Sequence, residues 1–302
     1  MSHMYDSILD SLYNRYYQND GPHSSVTSSH WQTIGGATVR KTSQGWMARG
    51  YGFGGAPERT VSRAIKNAPR LFLSRSLFTR YTLPHELQKA CIRLAQRLGV
   101  WLDYDFIRQA LSISKILHTL PIISNERGFF ASRGIRRICV IGDGYGFCSV
   151  LLKEIDPSLS IVTVNLGRIL FFDVLSIARV HPTSSADFFF VEAEQASLIE
   201  GMPIDLFINI ASMQEMNPST VAEYFRFMRT SSADSTYFYC CNRLEKKLPD
   251  GTVVMFSEYP WSNSIILFDE LCPWYQRYPV SVPPWWLPFD GPIQHRLVRL
   301  NP

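Results

Sequence analysis

VIGDGYGFCS, residues 140–149, decides how this chain is read. It sets Gly142, Gly144 and Gly146 in alternation directly behind the apolar run ICVI (138–141) and ahead of CSVLLKEI (148–155). That order predicts a strand, a glycine turn and a helix closed by Asp156-Pro157. In an open α/β sheet, ligands lie outside the carboxyl ends of the strands. A backbone without side chains can approach a nucleotide-like or anionic group there, and the first helical turn presents free N–H groups to it. A glycine triplet alone does not exclude a tight turn with no ligand.

Working outward, strands and helices alternate. SIVTVNL (160–166) predicts a second strand, ILFFDVLSIARVHP (169–182) a helix and ADFFFVEA (186–193) a third strand. SLIEG (197–201) is a short helical or turn segment, and PIDLFINIA (203–211) a fourth strand. Asn217-Pro218 opens a helix, asparagine as cap and proline in the first turn, with Val221, Tyr224, Phe225 and Met228 inward. TYFYCCN (236–242) follows as a fifth strand, KKLPDGTVVMF (246–256) as a hairpin about Asp250-Gly251, and IQHRLVRL (293–300) as a last strand after a Pro/Trp-rich loop. This alternation is the signature of an α/β, doubly wound, mostly parallel sheet covered on both faces.

Residues 1–130 read differently, as a mostly helical N-terminal region serving as a substrate lid or a dimerisation surface, with the α/β domain over 131–302. SILDSLYNRYY (7–17) is amphipathic, NDGPHSSVTSSH (19–30) is a loop by composition, and GWMARGYGFGGAPERT (45–60) reads as an irregular connector or a ligand-facing loop. In HELQKACIRLAQRLG (85–99), Leu87, Cys91, Leu94 and Leu98 share one face and Gly99 stops the helix; Asp103 caps the next, which ends before Pro121.

Composition bounds the possibilities. The 302 residues are 46% apolar, enough for a sizeable core, and the net charge of +4 permits an anionic ligand without demanding nucleic acid. The six cysteines (Cys91, Cys139, Cys148, Cys240, Cys241, Cys272) show no CxxC spacing, which fits reduced, buried thiols and a cytoplasmic protein. No segment approaches the roughly 18 apolar residues of a membrane span, and YDSILDSLYNRYY carries charges where a signal peptide would be apolar.

Two nucleotide cofactor classes fit a strand–glycine–helix unit. A dinucleotide fingerprint, G-x-G-x-x-G, needs a third glycine at 147, where Phe147 stands, and the register from Gly144 ends on Ser149. The G-x-G-x-G spacing instead resembles motif I of the class I S-adenosylmethionine-dependent methyltransferases. In both classes an acid usually ends the second strand to meet the ribose hydroxyls; here Asn165 stands in its place, able to donate and accept but without charge assistance.

A longer likeness narrows the reading. INIASMQEMNPSTVAEYF (208–225) followed by FYCCNRLEKKLPDGTVVMFSEYPW (238–261) resembles the sugar O-methyltransferase family, in Ser212-Met213-Gln214-Glu215-Met216, Asn242 and Tyr259-Pro260-Trp261; SHW at 29–31 resembles an early Ser/Trp pair. The resemblance implies the class I fold, a Rossmann-like doubly wound sheet with an antiparallel C-terminal strand. It also implies S-adenosylmethionine as cofactor, S-adenosylhomocysteine as product, and a hydroxyl acceptor on a sugar or nucleotide-linked sugar. On this reading Gly142, Asp143, Gly144, Gly146, Asn165, Glu192, Glu194, Asn209 and Ser212 hold the cofactor, while Gln214, Asn242, Tyr259 and Trp261 meet the acceptor. Glu215 is the leading general base, with His181 and His295 as alternatives. No compact carboxylate or histidine cluster requires a metal, although Glu215, Glu258 and Asp269 could converge in space.

Three rivals stay open. An N-methyltransferase acting on a small heterocycle would use the same scaffold. An RNA methyltransferase could use Arg59, Arg63, Lys66 and Arg70 on a helix that Pro69 would interrupt, although a phosphorylated small acceptor is the more economical use of such a groove. A non-catalytic binding module would keep the sheet without the chemistry. A homo-oligomer is compatible with all of them.

Overall fold

The computed structural model describes residues 3–18, 27–34, 37–43, 45–50 and 61–300. The decisive run is a strand, β1 (Arg137–Ile141), whose alternate residues serve two cores. Ile138 and Val140 face one apolar cluster, Cys139 and Ile141 the other, as the period of two requires. Six further strands complete the sheet: β2 (Ser160–Asn165), β3 (Phe188–Glu192), β4 (Ile204–Ile210), β5 (Ser232–Arg243), β6 (Ser264–Leu271) and β7 (Ile293–Leu300).

The spatial order is β6-β7-β5-β4-β1-β2-β3. Strands β1 to β5 are mutually parallel, and β7 runs antiparallel between β5 and β6. This is the expected doubly wound α/β sheet with a reversed C-terminal strand. The chain runs outward from β1 through β2 to β3, then crosses back to β4, so the direction of winding reverses between β1 and β4. Ligand clefts form at such a point because the connections diverge to opposite faces.

One face is covered by α1 (His3–Tyr13), α4 (His85–Leu98), α5 (Tyr104–Thr119), α6 (Phe147–Ile155) and α7 (Gly167–Val180), whose buried residues share a single cluster with the sheet. Two more helices belong to the N-terminal region, the short α2 (Ser29–Ile34) and the long α3 (Val61–Arg80). The opposite face carries α8 (Pro218–Thr230) and the hairpin of Glu245–Lys247 with Val253–Met255. Asp103 does cap α5, accepting from Asp105 N at 3.1 Å and Phe106 N at 3.4 Å, and Gly99 ends α4 in the left-handed region at φ 68°.

Several expectations change. Gly45–Gly50, read as an irregular connector, is a strand paired with Ala37–Thr42, while residues 51–60 lie outside those described. Ser264–Leu271 is an edge strand that the sequence reading passed over. Its apolar Ile265, Ile266, Leu267 and Leu271 are exposed, so it lacks the alternation that marks a half-buried strand. Helix α3 runs through Pro69 instead of breaking there; beyond it, Ser74, Leu77 and Phe78 are buried and hold the helix in place. Asn217 occupies the cap position of α8 but makes no side-chain cap bond. Of the basic series, Arg59 lies outside the described residues, and Arg70 reaches Asp103 at 3.5 Å.

The N-terminal segment is fastened to α7. Tyr5 Oη donates to His181 O at 3.2 Å and Tyr17 Oη to Arg168 O at 2.5 Å, while Tyr16 lies flat over Gly167. A Cβ at Gly167 would stand 2.2 Å from the Tyr16 ring. Gly167→Ala should therefore displace Tyr16, with overpacking on the scale of ~1–3 kcal/mol. Hydrogen exchange should show protection lost around Tyr16 and Tyr17 and retained in β1, β2 and β4.

Candidate active site

The three glycines of the turn do three different things. All have positive φ: 72° at Gly142, 84° at Gly144 and 70° at Gly146. A Cβ at Gly142 would stand 2.2 Å from Ser212 Oγ, because the loop after β4 crosses there. A Cβ at Gly146 would press on the Asp173 backbone of α7 at 3.0 Å. At Gly144 an added Cβ would meet no atom within 4 Å. The first and third glycines thus serve close packing, and the second borders open space.

That space is a cleft at the carboxyl edge of β1, β2 and β4. Gly142, Gly144 and Asn165 line it together with Ser212, Glu215 and Met216 and with Thr220 and Tyr224 of α8. Leu166, Ile169 and, from the N-terminal region, Ser28 and Trp31 border it as well. The structure thus brings together Gly142, Gly144, Asn165, Ser212 and Glu215 from the sequence-derived set.

Behind the cleft lies a buried polar knot. Asn209 Nδ2 donates to Ile141 O at 2.9 Å and to Ser212 Oγ, and Asn209 Oδ1 accepts from Met213 N at 3.2 Å and Asn242 Nδ2 at 2.8 Å. Asn242 Oδ1 accepts Gln214 N at 3.1 Å, and Gln214 Oε1 accepts Arg243 N at 2.7 Å. Asn209, Gln214 and Asn242, expected at the cofactor or acceptor, therefore use these polar atoms on one another and on neighbouring backbone and side chains of the protein. Their effect is to fix the turn Met213–Glu215 and so to aim Glu215.

The other expected residues sort by position. Asp143 caps α6, accepting from Cys148 N at 2.9 Å and Ser149 N at 2.8 Å. Asn165 Oδ1 accepts Leu166 N at 2.9 Å and its Nδ2 donates to the buried Asp173 at 2.8 Å, leaving one N–H for the cleft. Burial, reinforced by Asp143, raises the Asp173 carboxyl well above the ordinary range. Glu192 is held by Arg15 at 3.0 Å and by the Tyr16 hydroxyl, on the side facing α1. Glu194 lines an adjoining groove that shares Ala193, Thr220 and Tyr224 with the cleft.

Four residues lie elsewhere. His181 is the C-cap of α7, some 20 Å along a helix that starts at the cleft, with its ring on Val150 O at 3.2 Å. His295 pairs with Cys241 inside β7, three strands or about 14 Å from β1, fully buried against Tyr239 and Trp274. Tyr259 and Trp261 stack on each other at 5.9 Å and pack under Phe225 of α8 and Phe256. The aromatic rings at the cleft are instead Trp31 and Tyr224. Glu258 and Asp269 do not join Glu215: among the described residues no three such side chains are grouped to hold a metal.

Sequence reasoning missed His30. Its Nε2 stands 3.4 Å from Glu215 Oε1, and Ser28 Oγ donates to the Glu215 backbone oxygen. Burial pushes Glu215 up to about 7, opposed by the cations Lys246 and Arg243. Burial, then Lys246 and Arg243, holds His30 down to about 4, so its imidazole is uncharged at neutral pH. At pH 7 the Glu215 carboxyl is thus poised between its two protonation states beside an uncharged ring. The only trace of His30 in the sequence is the SHW stretch, since nothing in spacing joins residues 30 and 215.

Comparisons with known proteins add the following. No protein-family model and no curated protein matches the chain. Among solved structures, the O-methyltransferase TomG from Streptomyces achromogenes, in complex with SAM, is 13% identical with a TM-score of 0.41, over 80% of this chain and 100% of that one. The O-methyltransferase from Bacillus cereus, in complex with SAH, is 13% identical with a TM-score of 0.40, over 77% of this chain and 90% of that one. The mitomycin 7-O-methyltransferase MmcR is 10% identical with a TM-score of 0.42, over 80% and 76%.

Two outcomes are expected here. Asn242→Ala leaves Gln214 N–H without its acceptor and Asn209 Oδ1 short of a donor, and should lower stability by about 2–4 kcal/mol in chemical denaturation. Glu215 holds its proton more tightly folded than unfolded, so its contribution to stability is full below about 4.5 and is lost as pH rises through 7. Glu215→Gln should flatten that slope and stabilise the protein at pH 8 by up to roughly 3 kcal/mol, read from melting temperatures across pH.

Proposed function

We propose that this chain is an S-adenosylmethionine-dependent methyltransferase acting on a hydroxyl of a small molecule, a sugar or nucleotide-linked sugar in the first instance. The observation that carries the reading is Gly144: a turn residue with open space above it, at the reversal point of the sheet, facing a cleft that holds a carboxyl with a pKa near 7. The residues suit the cofactor. Gly144 leaves its backbone open, Asn165 retains a donor for a ribose hydroxyl, Glu194 lines the continuation of the cleft, and Trp31 and Tyr224 supply π faces that attract a sulfonium cation.

When bound, S-adenosylmethionine supplies an electrophilic methyl group on a positively charged sulfur. The chain must align an acceptor oxygen with that carbon, and alignment contributes several kcal/mol to lowering the barrier. It must also take the hydroxyl proton. The Glu215 carboxylate is placed to accept it, with the uncharged His30 ring 3.4 Å away helping to position that carboxylate. Ser28 and Trp31 border the cleft and His30 stands beside Glu215, which supports reading the N-terminal region as a lid on the site formed by 131–302.

Calorimetric titration with S-adenosylhomocysteine, and with NAD in parallel, tests the cofactor. The first should bind in the micromolar range and NAD should not. Gly144→Val, which places a side chain on the bare backbone at the cleft and strains a turn held at φ 84°, should weaken binding at least ~30-fold. Failure of both ligands to bind overturns the reading. With an accepted sugar nucleotide in hand, the rate should rise through pH 7 to a plateau, and Glu215→Gln should lower kcat by ~10²–10⁴.

A further inference from the structure

The turn that carries Glu215 is flanked by two cations that the methyl transfer itself does not use. Arg243 ends β5, its backbone N–H fixed by Gln214, and Lys246 lies in the strand Glu245–Lys247, which packs beside Met213–Glu215. Within that strand Glu245 and Lys247 are exposed while Lys246 is half-buried, paired in register with the buried Val254. Lys246 therefore faces the protein. Among the described residues it makes no hydrogen bond and no ion pair.

Arg243 is scarcely better partnered. Its side chain is 15% exposed, its Nη1 reaches only the outlying Asp290 at 3.0 Å, and its buried Nε has no acceptor. Beside one carboxyl, then, stand an ammonium without a protein partner and a guanidinium with an orphaned buried N–H, donors that an anion would satisfy. Glu215, the carboxyl they flank, already faces His30 and the cleft.

We propose that Lys246 and Arg243 form an anion subsite beside Glu215, and that the acceptor carries a carboxylate or phosphate group near the hydroxyl that is methylated. The assignment of that anion to an acceptor rests on the methyltransferase reading; the subsite itself does not. An anion seated there orients the acceptor with its hydroxyl toward Glu215. It also excludes neutral molecules of similar shape, because they would leave the two cations desolvated and unpaired. Phosphate and carboxylate share this chemistry, and a planar guanidinium beside an ammonium suits either.

The test uses inorganic phosphate, and acetate in parallel, as probes. The full chain is titrated with and without S-adenosylhomocysteine, following the His30 ring resonances. Wild type should show saturable binding of at least one probe; Lys246→Ala should weaken it at least ~5-fold, and Lys247→Ala, on the exposed side of the same strand, by less than ~2-fold. A response that does not saturate for either probe, or one equal in wild type and Lys246→Ala, overturns the subsite. S-adenosylhomocysteine affinity in the same three proteins separates the two ideas. Nucleotide binding without the anion effect removes the subsite alone, and an anion effect without nucleotide binding removes the methyltransferase reading and leaves the subsite standing.

Discussion

Everything at this site depends on how closely two pieces of backbone approach at the carboxyl edge of the sheet. The loop leaving β4 passes over the turn leaving β1 so tightly that Ser212 occupies the place of a Gly142 side chain. Asn209 then bonds both Ile141 O and Ser212 Oγ, tying the two strand ends together. With this crossing held, the turn Met213–Glu215 has one available path, and the cleft beside Gly144 keeps its shape. A looser crossing would move Glu215 relative to the cleft, and positioning errors of about 1 Å are enough to cost a hundredfold in rate.

The buried amides explain why a polar cluster sits where apolar packing would be simpler. Asn242 bonds Asn209, and the three amide oxygens take up the backbone N–H groups of Met213, Gln214 and Arg243, so the cluster imposes a geometry on the turn. Apolar side chains would fill the same volume but would allow the turn to slide. The same logic applies to Asn165, held between Leu166 N and Asp173, which stiffens the end of β2 while still bordering the cleft.

The N-terminal region closes the arrangement from outside the sheet. Tyr16 on Gly167 and the hold of Arg15 and Tyr16 on Glu192 anchor it beside β2 and β3, and Ser28 and His30 bring it onto Glu215. One carboxyl thus acquires its raised pKa from burial to which distant parts of the chain contribute. The cations of the hairpin side oppose that shift, which leaves the group poised near neutrality.

Local pattern carried most of the architecture. The glycine turn after ICVI, the alternation of strands and helices from residue 137 to 243, the Asp103 cap and the Gly99 stop were all legible, because each depends on neighbours within a few residues. Edge strand Ser264–Leu271 and helix α3 across Pro69 were not, since exposure in the one and packing beyond the proline in the other are tertiary facts. In the site, the sequence alone determined that three glycines follow β1 at the carboxyl edge of the sheet and that Glu215 follows β4. Only the tertiary structure decided that Asn209, Gln214 and Asn242 turn inward, that His181, His295, Tyr259 and Trp261 stand away, and that His30 meets Glu215. The reason is physical: which way a polar side chain faces, and what burial does to its proton, is set by groups distant in the chain, from 28 residues for Gln214 and Asn242 to 187 for Ser28 and Glu215.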